Sequence, residues 1–331
     1  MKRREFLSLV GSATLAAPRV ALAQPAGRVA RVLFWMGGTS LNDPAGQRFS
    51  AAFRNALRAQ GWEDGRNVRI EERALGSLTE GEQVRAAMAE FGALEPDVIV
   101  TTGAPMLAEL HQRTKTVPIV FTMVTDPVRD GFVASLARPG GNITGFTIFE
   151  HSFAGKWLEM LKEVSPAMTR VAVLQNPDHP AWNAYLNAIR MIAGPMGVEV
   201  TPTPASNPPE FTAVLDKFAG PNSGLIILPS AVGSRHRELI ASTALKHRMP
   251  SIYSLSVYPT SGGLMSYGVV QSEVYVQAAT YVDRILKGAK PGDLPVQAAT
   301  KFELVINQKT ANALGITVPA TMLGRADEVI E

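Results

Sequence analysis

Cysteine is absent from the 331 residues. That excludes disulfides, thiolate metal sites and a cysteine nucleophile, and it leaves no thiol to mispair in an oxidising compartment. Histidine is scarce. The five present (His111, His151, His179, His236, His247) show no H-E-x-x-H spacing and no clustering of the metal-ligand kind. Enzyme signatures are missing as well. No G-x-G-x-x-G follows a strand, and there is no Walker-type phosphate loop. The run Gly263–Gly268 (GLMSYG) has one residue too many for a G-x-S-x-G nucleophile elbow, and its Ser266 reads as a strand residue. Glu71 and Glu72 point to opposite faces of a strand and make no catalytic pair. Past the N-terminus, no apolar run approaches the length of a membrane helix.

Charge of one sign is also missing once the N-terminus is set apart. The formal net charge is +3, but residues 1–23 hold Lys2, Arg3, Arg4 and Arg19 against Glu5 alone. The remainder carries 28 basic and 28 acidic residues. A nucleic-acid binder needs a basic surplus, and none is present.

What the N-terminus does contain is an address. Lys2-Arg3-Arg4-Glu5-Phe6-Leu7 leads into a mild apolar run ending near Ala17, followed by Ala21-Leu22-Ala23. That is a basic n-region, a short h-region and a small-x-small cleavage site. Paired arginines before Phe-Leu fit a twin-arginine export signal. We expect residues 1–23 to be removed after Ala23 and the mature chain to start at Gln24 in the periplasm. An uncleaved anchor or a basic tail is the plainer alternative. The 308 residues left exceed what one core usually serves, so two domains are expected.

Short β-branched runs alternate with amphipathic stretches almost throughout. Strands are predicted at Arg31–Met36, Asn67–Glu72, Asp97–Thr101 and Pro118–Phe121, with helices at Gln47–Gln60, Glu80–Phe91 and Ala104–Arg113. A turn-rich segment, Arg138–Asn142, intervenes. The pattern then restarts. Helix Phe153–Val164, strand Arg170–Gln175, helix Ala181–Met196 and strand Val198–Thr203 precede helix Glu210–Ala219, strand Gly224–Leu228, helix Gly233–His247 and strand Pro250–Tyr253. A last set comprises strand Gly263–Tyr267, helix Val274–Leu286, strand Lys301–Ile306 and a short helix near Thr310–Leu314. The fold class is α/β, with two doubly wound parallel-sheet lobes.

In open parallel sheets, ligands bind beyond the carboxyl ends of the strands. The candidates are therefore Thr39 and Ser40 after the first strand, Thr102, Gly103 and Ala104 after the third, and Thr125 and Asp126 after the fourth. The second half supplies Asn176, Ser230 and Tyr253 at equivalent places. Free N–H groups where the helix begins at Ala104, with the Thr102 hydroxyl, suit a carboxylate. Asp126 suits an ammonium. Plain helix caps would look the same at any one position. Trp35 and Trp182 either fill core or line an apolar pocket.

Several segments together resemble the ABC-transporter substrate-binding proteins that include tryptophan- and tyrosine-type binders. They are Arg3–Phe6, Asp64–Val68, Val117–Phe121, Thr125–Val128, Leu136–Gly145 (LARPGGNITG), Gly262–Gly268, Ile285–Pro291 and Lys301–Asn307. The resemblance implies a type I periplasmic-binding fold of two lobes joined by three crossovers near Thr147, Gly268 and Ala298. Lobe 1 would comprise 28–146 plus 268–297, and lobe 2 would comprise 147–267 plus 298–331. It implies no enzyme and no cofactor. The expected partners are a small carboxylate-bearing solute, such as an amino acid or aromatic acid, and an inner-membrane ABC permease. The protein itself is expected to be a monomer. Docking of the closed lobes onto a membrane kinase or chemoreceptor is the alternative. Two departures mark the chain: Ser230-Ala231 where an acidic residue is common, and Ser254-Leu255-Ser256 where charged or aromatic residues are common.

Overall fold

A computed structural model describes residues 28–37, 40–74, 84, 94–147, 153–177 and 182–331. The export signal at 1–23, Thr39, His151, His179 and nearly all of the predicted helix Glu80–Phe91 lie outside these residues.

The first sheet is built from β1 (Ala30–Met36), β2 (Val68–Ala74), β3 (Val98–Thr102), β4 (Ile119–Val124), β5 (Ile143–Thr147) and β11 (Gln297–Ala298). Its order is β11-β5-β4-β3-β1-β2, with every described pairing parallel. The second sheet contains β6 (Arg170–Gln175), β7 (Glu199–Pro204), β8 (Ser223–Ile227), β9 (Ser251–Tyr253), β10 (Met265–Val269), β12 (Phe302–Asn307) and β13 (Glu328–Ile330). Its order is β13-β12-β10-β9-β8-β6-β7, parallel except where β10 meets β12. The run β2-β1-β3-β4-β5 and the run β7-β6-β8-β9-β10 are the same topology twice. The chain passes to the second sheet after β5, returns after β10, and crosses again after β11.

Helices cover both sheets because their apolar residues repeat at helical spacing. In α1 (Pro44–Ala59), Phe49, Phe53 and Leu57 form one buried stripe. Each is worth about 2 kcal/mol relative to exposure. The helix ends in a Schellman motif: Gly61 takes φ +91°, its N–H reaches Arg58 O, and the Trp62 N–H reaches Leu57 O. Trp62 then donates from Nε1 to Asp283 Oδ1 at 2.9 Å. Asp283 belongs to the helix Gln271–Leu286, which packs beside α1 on the first sheet although it follows β10. In the second half, Phe153–Val164 and Trp182–Ala193 cover one face of the sheet, and Pro208–Phe218 and Arg237–Lys246 cover the other.

Most predicted elements fall within two residues of those observed. Three differ. The first sheet has six strands, not four: β5 was hidden because Ile143–Thr147 (ITGFT) breaks its apolar run with Gly145. That glycine is needed because a Cβ there would collide with the backbone oxygen of Phe121, its register partner on β4. β11 and β13, at two and three residues, are too short to carry a period. The predicted helix Gly233–His247 is two helices, Ala231–Arg235 and Arg237–Lys246, broken at His236 with φ −102° and ψ 25°. Arg237 anchors the break by donating to Ser234 O and Ser261 Oγ. Trp35 is buried core, and Trp182 packs half-buried against the second core.

Candidate functional site

Each sheet has a topological switch point, where strand order reverses and successive crossovers leave in opposite directions. In the first sheet it lies between β1 and β3, and in the second between β6 and β8. The backbones close in tightly at the first. A Cβ on Gly37 would stand 2.8 Å from Thr102 O. Gly103 takes φ +86° and donates its N–H to Thr122 O, a conformation that favours glycine. The helix that starts here, Ala104–Arg113, makes its first intrahelical bond from Leu107 N to Gly103 O. Pro105 has no N–H. Among the described residues, the Ala104 and Met106 amides are therefore the donors without a backbone acceptor at this helix start.

Beneath them runs a chain of hydroxyls. Thr122 Oγ1 donates to Thr101 O at 3.2 Å, Thr102 and Thr122 hydroxyls are 3.1 Å apart, and Tyr275 OH lies 3.2 Å from Thr102 Oγ1. Since the Thr122 proton is committed to Thr101, Thr102 donates to Thr122 and accepts from Tyr275. The Thr102 hydroxyl thus has an acceptor lone pair to offer, but no proton. Burial raises the Tyr275 phenol above its ordinary range, against the Thr102 and Thr122 bonds that oppose the rise.

The other first-sheet candidates are partly engaged. Ser40 Oγ accepts the Asn42 N–H, and its own N–H is held by Asp43. Asp126 Oδ1 accepts the Arg129 N–H at 3.0 Å, while its second oxygen lies 4.0 Å from Arg129 Nε. Thr125 is half-buried beside it. In the second sheet Asn176 is half-buried directly after β6, and Ser230 caps the helix Ala231–Arg235 by accepting the Gly233 N–H at 3.1 Å. Tyr253 is fully buried, with its ring stacked on Tyr258 at 4.3 Å. Burial pushes both phenols up.

Thr102, Gly103 and Ala104 are brought together at one switch point, and Asn176 lies at the other. Ser40 follows β1, whereas Tyr253 has its ring inside a core cluster. Pattern reading passed over Thr122 and Tyr275, whose hydroxyls sit on faces that look apolar in sequence. At the end of β6 it reached the run Gln175-Asn176-Pro177 and settled on Asn176, whereas Gln175 is the amide that closes the apolar run RVAVLQ. Among the described residues, no three His, Cys, Asp or Glu side chains are placed to hold a metal ion, and no helix is long and apolar enough to cross a membrane.

Comparison with known proteins gives this geometry a context. The chain is 25% identical over 272 residues to the tyrosine-binding protein of Clostridioides difficile, covering 82% of this chain and 77% of that one. A conserved domain protein of Vibrio cholerae superposes with a TM-score of 0.81 at 28% identity, covering 91% of this chain and 100% of the other. The ABC domain of Streptococcus pneumoniae in complex with L-Trp also gives 0.81, at 23% identity, over 92% of this chain and 100% of the other. The family model for ABC transporter substrate binding proteins matches residues 39–330. The chain belongs to that family, one of substrate-binding proteins rather than enzymes.

Proposed function

We propose that the protein is the solute-binding component of an ABC importer, capturing a small carboxylate-bearing solute, an amino acid or aromatic acid, between its two sheets. The observation that carries the reading is the repeated strand order, with a switch point in each sheet and open helix-start amides at Ala104 and Met106 in the first. Those amides hold the carboxylate. Asp126 and the acceptor lone pair of Thr102 hold an ammonium. The second sheet contributes Asn176 and Ser230. Relatives named for tyrosine binding and solved with L-Trp favour amino acids.

The lobes are 28–146 with 268–297 and 147–267 with 298–331. A solute touching both favours the closed form, because only differential affinity shifts the balance between open and closed. The protein works in the periplasm as a monomer after its twin-arginine signal is cleaved behind Ala23, and it delivers solute to a membrane permease.

Calorimetric titration of the chain from Gln24 onward with amino acids and aromatic acids tests this. One acid should bind, and Thr102→Val and Asp126→Ala should each weaken it by about tenfold, near 1.4 kcal/mol. Unchanged affinity in both variants rejects the site.

A further inference from the structure

Buried polar groups nearly always find partners, and one that does not needs a reason. Gln175 is 2% exposed, yet both its Nε2 and its Oε1 lack a hydrogen-bond partner among the described residues. It ends β6, at the switch point of the second sheet. Strand alternation places it on the face of Val171 and Val173, a face otherwise packed with apolar and aromatic side chains including Trp157, Tyr185 and Leu186.

The fold itself does not call for an amide there. β1 holds the equivalent position in the first sheet, and its last residue is the fully buried, apolar Met36. A methionine fills such a site with no polar group left over. An unpaired carboxamide is retained at the corresponding point of the second sheet, where ligands of doubly wound sheets bind.

We propose that Gln175 reads an uncharged hydrogen-bonding group on the solute, a hydroxyl or carboxamide, and so sets which side chain the cleft accepts. The inference rests on the solute-capture reading above. A carboxamide offers donor and acceptor side by side, and a hydroxyl or second amide satisfies both. A charged group buried here would meet no countercharge from Gln175. The charged end of the solute stays with the first sheet, at Ala104, Met106 and Asp126, while its distal group is read by the second.

The test compares wild type and Gln175→Met, which keeps the chain length and removes both polar atoms. Each is titrated with L-tyrosine, L-phenylalanine, L-glutamine and L-methionine, and ligand-free thermal midpoints are recorded. Wild type should bind tyrosine over phenylalanine, or glutamine over methionine, by about tenfold or more. Gln175→Met should bring that preference to within about twofold without weakening the apolar member, and should leave the ligand-free midpoint unchanged or higher. A preference that survives the substitution, a wild type that binds both members of each pair alike, or a lowered ligand-free midpoint each overturns the inference. A wild type that binds none of the four also overturns it. If other carboxylates then bind, the solute-capture reading stands without it. If none does, both fall.

Discussion

The two sheets share one strand order but differ in the polar groups near their carboxyl ends. Among the described residues each buries unpartnered atoms, Trp35 Nε1 and Thr101 Oγ1 in the first, but only the first adds a connected network. In the first, Tyr275, Thr102 and Thr122 pass hydrogen bonds in a line that ends on Thr101 O, and Asp126 is braced by Arg129. In the second, Gln175, Ser254 and Ser266 are buried without partners among the described residues. The contrast separates two tasks. A satisfied network is rigid and fixes the acceptor and open amides before any solute arrives. An unsatisfied set costs stability in the empty protein and returns it when a partner enters.

Breaking the first sheet's tight seam should have the largest effect. Gly145→Ala drives a Cβ against the backbone of Phe121, which cannot move without parting β4 from β5. We expect a loss of about 3 kcal/mol, read from urea unfolding midpoints. Removing one hydroxyl from the network comes next. Tyr275→Phe keeps the ring packed against Phe34 and Phe49 but deletes the donor to Thr102, and should cost about 1 kcal/mol by the same assay.

A smaller effect is expected at Glu303, on β12 opposite Gly268. Burial raises its carboxyl above the ordinary value of 4.5, the Ser256 hydrogen bond opposes this, Glu328 and Asp327 add to it, and Arg48 opposes it. The folded protein therefore holds a proton that the unfolded chain has already released. Stability should decline as pH rises from 4.5 through the raised value and level off above it. Glu303→Gln should flatten this decline in a series of thermal midpoints; an unaltered slope would show that Glu303 does not titrate there. The smallest change sharpens the comparison most. Ser266→Ala deletes a fully buried, unpartnered hydroxyl and should cost nothing, or gain up to about 1 kcal/mol. A clear loss would mean that the Ser266 hydroxyl makes a stabilising interaction in the folded protein.

Much of this molecule was legible in its sequence. Runs such as DVIVT and GLIIL are continuous and apolar because parallel strands are buried on both faces, so periodicity found them. Helices Ala104–Arg113 and Phe153–Val164 were bounded to the residue. β5 escaped because its glycine answers to a neighbouring strand rather than to a turn, and the helix broken at His236 escaped because Arg237 draws on Ser261, a distant residue. The candidate residues near Thr102 and Ser230 followed from position alone: small polar residues after strands are visible without coordinates.

Local pattern, then, determined the α/β class, the doubled organisation and the strand ends at which to look, because burial imposes a period that any window of residues displays. Tertiary structure decided which polar groups are already spent and which are not. Thr102 and Gln175 look alike in sequence, each a polar residue closing an apolar strand. One meets Tyr275, 173 positions away, and the other meets no partner among the described residues. Hydrogen-bond satisfaction depends on neighbours in space, and sequence spacing carries no record of them.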